Sequence, residues 1–584
     1  MRTIYRGLSV LLALCLILTG CASALAEEGV ITLPGSLTVV SEEAFYGVMA
    51  VDSVVVPEGV TEICSGAFAE SSLWEITLPD SLEVIADDAF DGTELIKVKA
   101  SEESYAAAWA RDKEIPVDTG ITRLTWVVGS SPAPADNDMV LAALNEIARE
   151  KLGVEVDIIY MSNDEVAASI AEGEVYDMYF SGSWFNNYAE NAKNGVYAEL
   201  SASLLEYAPE LYATMPDSVW GLARSEDGGL YGIPIKKDYA PMYFVVYDAA
   251  IAREAGIEIP DYIESLDELT EYLVALKEAV ADEGTYPVGN YGIYGLDAGF
   301  EYIDRSTLIG VTPGETQVHF LLEEENILDR YRTMYKWNDM GLVGDIDAYT
   351  QGSHAISFVQ AWTGYDYSPS RGFEAKMTQF SDPFLTMDGV QGGMTAFNIT
   401  LTDDPERLEK ALQFQELVNT DQEVRDILAY GVPGYHFNYR DVTDEDGEVT
   451  GQVVVRTLEG NNYRPWQFAQ ASYQVKTVEA SEQALDGTYP PPVTDQWEQY
   501  FAVVDEAPAS QLGGFQFDSS ELQEEIKAIS AIQNEYMPDL QAGRLNPDET
   551  VLEMRQRMNE AGLQTVITEV QRQLDAFLLN KVAP

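Results

Sequence analysis

Apolar positions change their period along the chain, and each change marks a different kind of structure. From Leu33 to Phe90 they recur at 22 and 23 residues: Leu33-Pro34, Val56-Pro57 and Leu78-Pro79, then Ala44-Phe45, Ala67-Phe68 and Ala89-Phe90. Val40, Ile63 and Ile85 keep the same phase. A period in the low twenties predicts short coils that stack, each supplying one slice of a core that none could build alone. The Phe of each repeat is expected inside. Cys64 falls where Ser41 and Ala86 fall, which predicts a small buried side chain rather than a reactive thiol. Tyr105 to Ala110 reads as a cap, with Tyr105 and Trp109 over the last coil, and Ile115 to Gly120 as a linker. The repeat unit is bounded at residues 31–112.

Beyond Ile121 the pattern alternates. Leu124 to Val128 reads as a strand, Asp138 to Leu152 as a helix stopped by Gly153, and Val154 to Ile159 as the next strand. Strand, helix, strand predicts a mostly parallel sheet, whose ligands meet the loops beyond the strand ends, here Ser130 to Asp136. A second such unit ends in the strand before Ser181-Gly182-Ser183-Trp184, followed by Phe185, Asn186, Asn187 and Tyr188. Trp184 reads either as a stacking platform for a sugar face or as a cover for the core. The turn Gly228-Gly229 and the short strand Leu230 to Ile233 lead to a polar patch, Lys236, Lys237, Asp238 and Tyr239, at the lip of a buried strand, Met242 to Tyr247.

Further on, Ala355 to Phe358 reads as a strand that exits at Gln360, Trp362 and Tyr365, with Trp362 either on a ligand or in a core. Pro405 to Tyr430 reads as a helix pair, Asp444 to Gly447 as a hairpin connection, and the residues after Gly514 as two or three helices. The last has an apolar face through Ile567, Val570, Leu574 and Phe577, which predicts packing on a neighbour.

Composition then narrows the partners. At 584 residues the chain exceeds one ordinary core. Its formal charge of −64, from 98 acids against 34 bases, repels nucleic acid and anionic lipid surfaces. Enzyme chemistry finds no footing: His319, His354 and His436 share no ligand spacing, no serine has a nucleophile-elbow setting, and no phosphate loop is present. No catalytic residue, metal ligand or cofactor is expected. Arg2 and Arg6 precede the apolar run Leu8 to Leu18, a secretory signal too short to span a membrane. Leu18-Thr19-Gly20-Cys21 resembles a lipobox, so residues 1–21 are expected to leave or anchor the chain through a lipid on Cys21. This is favoured over cleavage after Ala24-Leu25-Ala26, which would release a soluble protein.

Several ordered motifs together resemble the extracellular solute-binding proteins of ABC importers, family 1-like. They are Gly173 with Tyr176-Asp177 before a strand, Tyr231-Gly232-Ile233-Pro234, and Gly352-Ser353-His354-Ala355-Ile356-Ser357-Phe358, which is similar to the strand that returns the chain between lobes. Asn419-Thr420-Asp421, Tyr430 to His436 and Gly513-Gly514-Phe515-Gln516-Phe517-Asp518 resemble a long Gram-positive lipoprotein subgroup with an extra C-terminal domain; Phe437 stands where that subgroup has Tyr. The repeats resemble BspA-like leucine-rich repeats.

The resemblance implies an α/β, two-lobe periplasmic-binding-protein-like fold over residues 121–510, preceded by a short leucine-rich-repeat solenoid and followed by a helical extension, 511–584, packed on the second lobe. It implies a monomeric receptor on the extracellular face of the membrane. Such a receptor captures a small-molecule solute, expected to be a carbohydrate, and delivers it to permease subunits. Trp184, Tyr188, Asp238, Tyr239, Trp362 and Tyr435 are the expected ligand contacts. The repeats read as a spacer or as a module for a surface partner, and an adhesion or sensing protein on the same fold is the alternative.

Overall fold

The computed structural model describes residues 30–582 except 50, 96, 130–131, 237–238, 281–285, 292, 294, 348–352, 445 and 466–475. Cys21 with the rest of the leader, and Asp238, therefore lie outside the described residues. One compact unit ends at Thr122 and a second begins at Arg123.

In the first unit every repeat contributes one short strand to each of two parallel sheets. One sheet runs Val30–Thr32, Ser53–Val55, Glu75–Thr77, Lys97–Lys99, Val117–Asp118; the other runs Val39–Val40, Glu62–Ile63, Val84–Ile85. Ser53 pairs with Glu75 and Glu75 with Lys97, so the register follows the sequence period. The middle residues Val54, Ile76 and Val98 point inward and are fully buried. Phe45, Phe68 and Phe90 stack with ring centroids 5.1 and 5.2 Å apart, and Trp109, on the helix Tyr105–Asp112, closes the column at 5.3 Å.

Two expectations change here. Val117–Asp118 is an edge strand rather than linker, because the open edge of Lys97–Lys99 needs backbone partners, and Val98 N donates to Pro116 O at 2.9 Å. Cys64 is half-buried rather than buried; burial and the nearby Glu62 carboxylate push its thiol up, away from the thiolate. Replacing Phe68 with Ala should cost about 3–5 kcal/mol, since the hole lies mid-column. Hydrogen exchange should speed up in strands 53–99 and stay unchanged beyond residue 123.

The second unit has two lobes. The first is built on a five-stranded sheet in the order Val154–Met161, Thr122–Gly129, Met178–Ser181, Met394–Phe397, Gly232–Pro234. Met178–Ser181 runs parallel to Thr122–Gly129 and antiparallel to Met394–Phe397. The second lobe centres on Met242–Asp248, paired antiparallel with Ser357–Ala361 and Ala375–Gln379. Its core also takes Leu512, Phe515, Ile529, Met554, Val566 and Leu574, so the C-terminal helices Gln523–Gln541, Pro547–Glu560 and Leu563–Val582 share that lobe's apolar interior. Asp444 to Gly447 is the turn between the antiparallel strands Phe437–Thr443 and Val449–Arg456.

The chain passes between lobes three times: after Pro234, between Gln379 and Met394, and between Val504 and Leu512. The strand Ser357–Ala361 does not cross, contrary to expectation. It lies inside the second lobe as the direct partner of Met242–Asp248, and the return follows one strand later. The crossings hold each other. Leu385 N donates to Pro508 O and Ser510 N to Leu385 O, both at 2.8 Å. Lys236 Nζ reaches Asp505 at 2.8 Å, and the Tyr239 hydroxyl donates to the other carboxylate oxygen. Lys236 is 3 % exposed, and burial lowers its affinity for the proton against the pull of Asp505. Replacing Asp505 with Ala strands a buried ammonium. We expect a loss of about 2–3 kcal/mol in chemical denaturation, less than for a fully enclosed pair because the carboxylate is partly solvated.

Candidate functional site

Between the lobes lies a cleft of about 760 Å³, within the range of small-molecule sites. The first lobe supplies Ser183, Trp184, Asn187 and Tyr188; the second supplies Tyr243, Asp297, Phe300 to Ile303, Arg305 and Gln360; the middle crossing supplies Asp382, Asp388 and Gln391.

Trp184 is placed by the exit of Met178–Ser181. A Cβ on Gly182 would come within 2.6 Å of Gly392 O, so only glycine lets this loop approach the returning strand. The Trp184 Nε1–H then donates to Gly392 O at 2.7 Å, and the indole leans on Phe180 and Phe185 with centroids 5.7 and 5.8 Å away. It remains 49 % exposed toward the cleft. Tyr188 also borders the cleft, though only 1 % exposed: its hydroxyl donates to Ala223 O at 3.0 Å and accepts from Tyr231 N at 3.1 Å.

Tyr239, Trp362 and Tyr435 lie elsewhere. Tyr239 is 1 % exposed, with its ring beside Phe501 and its hydroxyl on Asp505, because a buried phenol needs a partner and the crossing chain provides one. Trp362 packs on Trp497 and Tyr365, at 4.7 and 4.9 Å between centroids, since its strand ends beside the helix Gln496–Val504. Tyr435 sits on the turn before Phe437–Thr443, edge-on to His436, outside the cleft lining. His436 is fully buried. Its Nδ1 accepts from Val432 N at 2.8 Å, so its Nε2 carries the proton and donates to Asp136, a structural pairing. His354 likewise is tied to Asp248 at 2.7 Å.

The wall opposite Trp184 escaped the sequence motifs. Arg305 lies 4.0 Å over the Tyr302 ring and 3.1 Å from Asp297, which also accepts from the Tyr302 hydroxyl at 2.9 Å. Glu301 is 5 % exposed; burial pushes its carboxyl up to about 7, Asp388 adds to this, and bonds from Ser510 and Met387 N oppose it. The native state keeps this proton to a higher pH than the unfolded chain, so stability falls as pH rises from about 4.5 through 7. Glu301→Gln removes that slope. The variant should gain about 3 kcal/mol over the parent at pH 8 and nothing at pH 4, read by denaturant titration at both values.

Two α/β lobes with a cleft at their crossings are accompanied by a family match over part of the chain. Residues 134–394 match the family described as bacterial extracellular solute-binding protein. Residues 27–106 match the BspA type leucine rich repeat region in six copies, and residues 511–579 match a domain of unknown function, DUF3502. A carbohydrate ABC transporter substrate-binding protein of Streptococcus pneumoniae is 23 % identical over 465 residues, 77 % of this chain and 89 % of that protein. Among solved structures, the N-glycan transport solute binding protein NgtS from Streptococcus pneumoniae superposes with a TM-score of 0.65 at 20 % identity, over 79 % of this chain and 99 % of that one. An HMO binding, ABC-transporter associated solute binding protein from Bifidobacterium longum infantis gives 0.50 at 14 %, over 78 % and 98 %. These superpositions are likenesses of fold.

Proposed function

We propose that the chain is the receptor of a carbohydrate importer, which captures a neutral oligosaccharide between its lobes and hands it unchanged to an ABC permease. The observation that carries this reading is the pairing, in one cleft, of the half-exposed Trp184 face with exposed Asn187, Gln360, Asp382 and Asp388. A sugar offers both surfaces at once, an apolar face for the indole and hydroxyls for the amides and carboxylates. The relative from Streptococcus pneumoniae, named for carbohydrate transport, supports the same class.

Charge selects within that class. Among the described residues, the carboxylates Asp297, Asp382 and Asp388 face the cleft against one guanidinium, Arg305, which Asp297 already answers. Acidic sugars therefore meet repulsion. Lobe closure about the three crossings would enclose the ligand, and a lipid on Cys21 would hold the receptor at the outer face of the membrane, with the repeats between anchor and receptor.

Titration calorimetry against neutral manno-, malto- and chito-oligosaccharides, uronate oligomers and peptides tests the reading. Neutral chains should bind and be recovered with unchanged mass, and uronates should bind at least tenfold more weakly. Trp184→Ala should weaken neutral-sugar binding tenfold or more, about 1.4 kcal/mol, without lowering the melting temperature by more than a few degrees. A response to peptides with none to sugars overturns the assignment.

A further inference from the structure

A second cavity, of about 900 Å³, lies beside the cleft. One wall is the first-lobe stretch from Ser218 to Gly228; the other is the C-terminal segment with Gln516, Arg572, Ala576 and Asn580. Three links join the two cavities. Gln516 borders both. Gln391, on the cleft, donates to Leu222 O at 2.8 Å and Arg224 O at 3.3 Å, in the wall of the second cavity. Glu301, also on the cleft, is hydrogen-bonded to Ser510, which lines the second cavity. A Cβ on Gly513 would stand 3.0 Å from Leu222 Cδ2, so the C-terminal segment lies directly on the first lobe where the cavities meet.

Most charged side chains lining the second cavity are held by neighbours, while Glu226 and Asp518 add two carboxylates to its wall. Arg224 donates to Ser201 Oγ at 3.0 Å and Gly228 O at 2.8 Å; Arg572 is paired with Glu569; Asp227 accepts from the Tyr231 hydroxyl at 2.6 Å and from Gly229 N at 2.9 Å. The side chains of Ser218, Gln516 and Asn580 have no partner among the described residues. What the cavity offers a ligand is free hydroxyl and amide groups beside carboxylate acceptors, which match sugar hydroxyls and disfavour an anion.

We propose that the two cavities form one groove, in which the second takes the far end of a neutral oligosaccharide whose near end rests on Trp184. The C-terminal helix Leu563–Val582 is then a wall that selects chain length. The cleft alone already has the volume of a complete small-molecule site, so a second cavity of like size suits a ligand roughly twice as long. This rests on the reading of the chain as a sugar receptor.

The test uses the whole protein and neutral manno-, malto- and chito-oligosaccharides of increasing length. Ala576 is exposed on its helix, so Ala576→Trp fills the second cavity without entering the core. In the parent, affinity should keep rising with length after the cleft is full. Ala576→Trp should abolish that rise, lowering affinity for the longest chains at least tenfold and leaving the shortest within twofold. Short chains that bind with no gain from added length overturn the extended groove alone. So does a loss that is equal for long and short chains. No binding of any chain by the parent overturns the sugar reading and the groove with it.

Discussion

The lobes are fastened at Asp505. Its carboxylate takes the Lys236 ammonium on one oxygen and the Tyr239 hydroxyl on the other, and so ties the first crossing of the chain to the third. The middle crossing is tied to the third by the backbone bonds of Leu385. Lateral ties of this kind let the lobes turn about a shared line and resist sliding. The distance between Trp184 and the wall of Asp297, Tyr302 and Arg305 is set by rotation about that line, and ligand geometry follows from it.

The cleft repeats on a small scale the imbalance of the whole chain, whose charge is −64. Salt screens most of the distant charge, so what a ligand meets is local. There the carboxylates are managed by different means: Asp297 by a guanidinium and a phenol, Glu301 by holding its proton to near neutrality, Asp382 and Asp388 by exposure. Only the last two remain open to a ligand, as hydrogen-bond acceptors well suited to hydroxyls.

The repeat unit follows a different physics. Each coil touches only its neighbours, so its stability accrues slice by slice down the column Phe45, Phe68, Phe90 and Trp109. The second unit depends instead on contacts between distant segments, such as Gln391 with Leu222 or Leu574 with the second-lobe core. Damage stays local in the first unit and reaches the cleft in the second.

That contrast explains what the sequence determined by itself. The coil register was legible because a period of 22 and 23 residues is the register, and the strand–loop exit at Trp184 was legible because a buried run ending in Gly and polar residues can only open onto a surface. The C-terminal helices and the lobe strand Met242–Asp248 were legible for the same reason, a local pattern with a local cause. Tertiary structure decided the rest. Tyr239 and Trp362 have the composition of ligand contacts, but their partners, Asp505 and Trp497, come from other parts of the chain, and Tyr435 rides a local turn that folds outside the cleft lining. Conversely Tyr302, Arg305 and Asp388 carry no motif and reach the cleft because three crossings bring their segments to it. A side chain's type is written locally; whether it meets a core, a hinge or a ligand depends on which distant backbone closes over it.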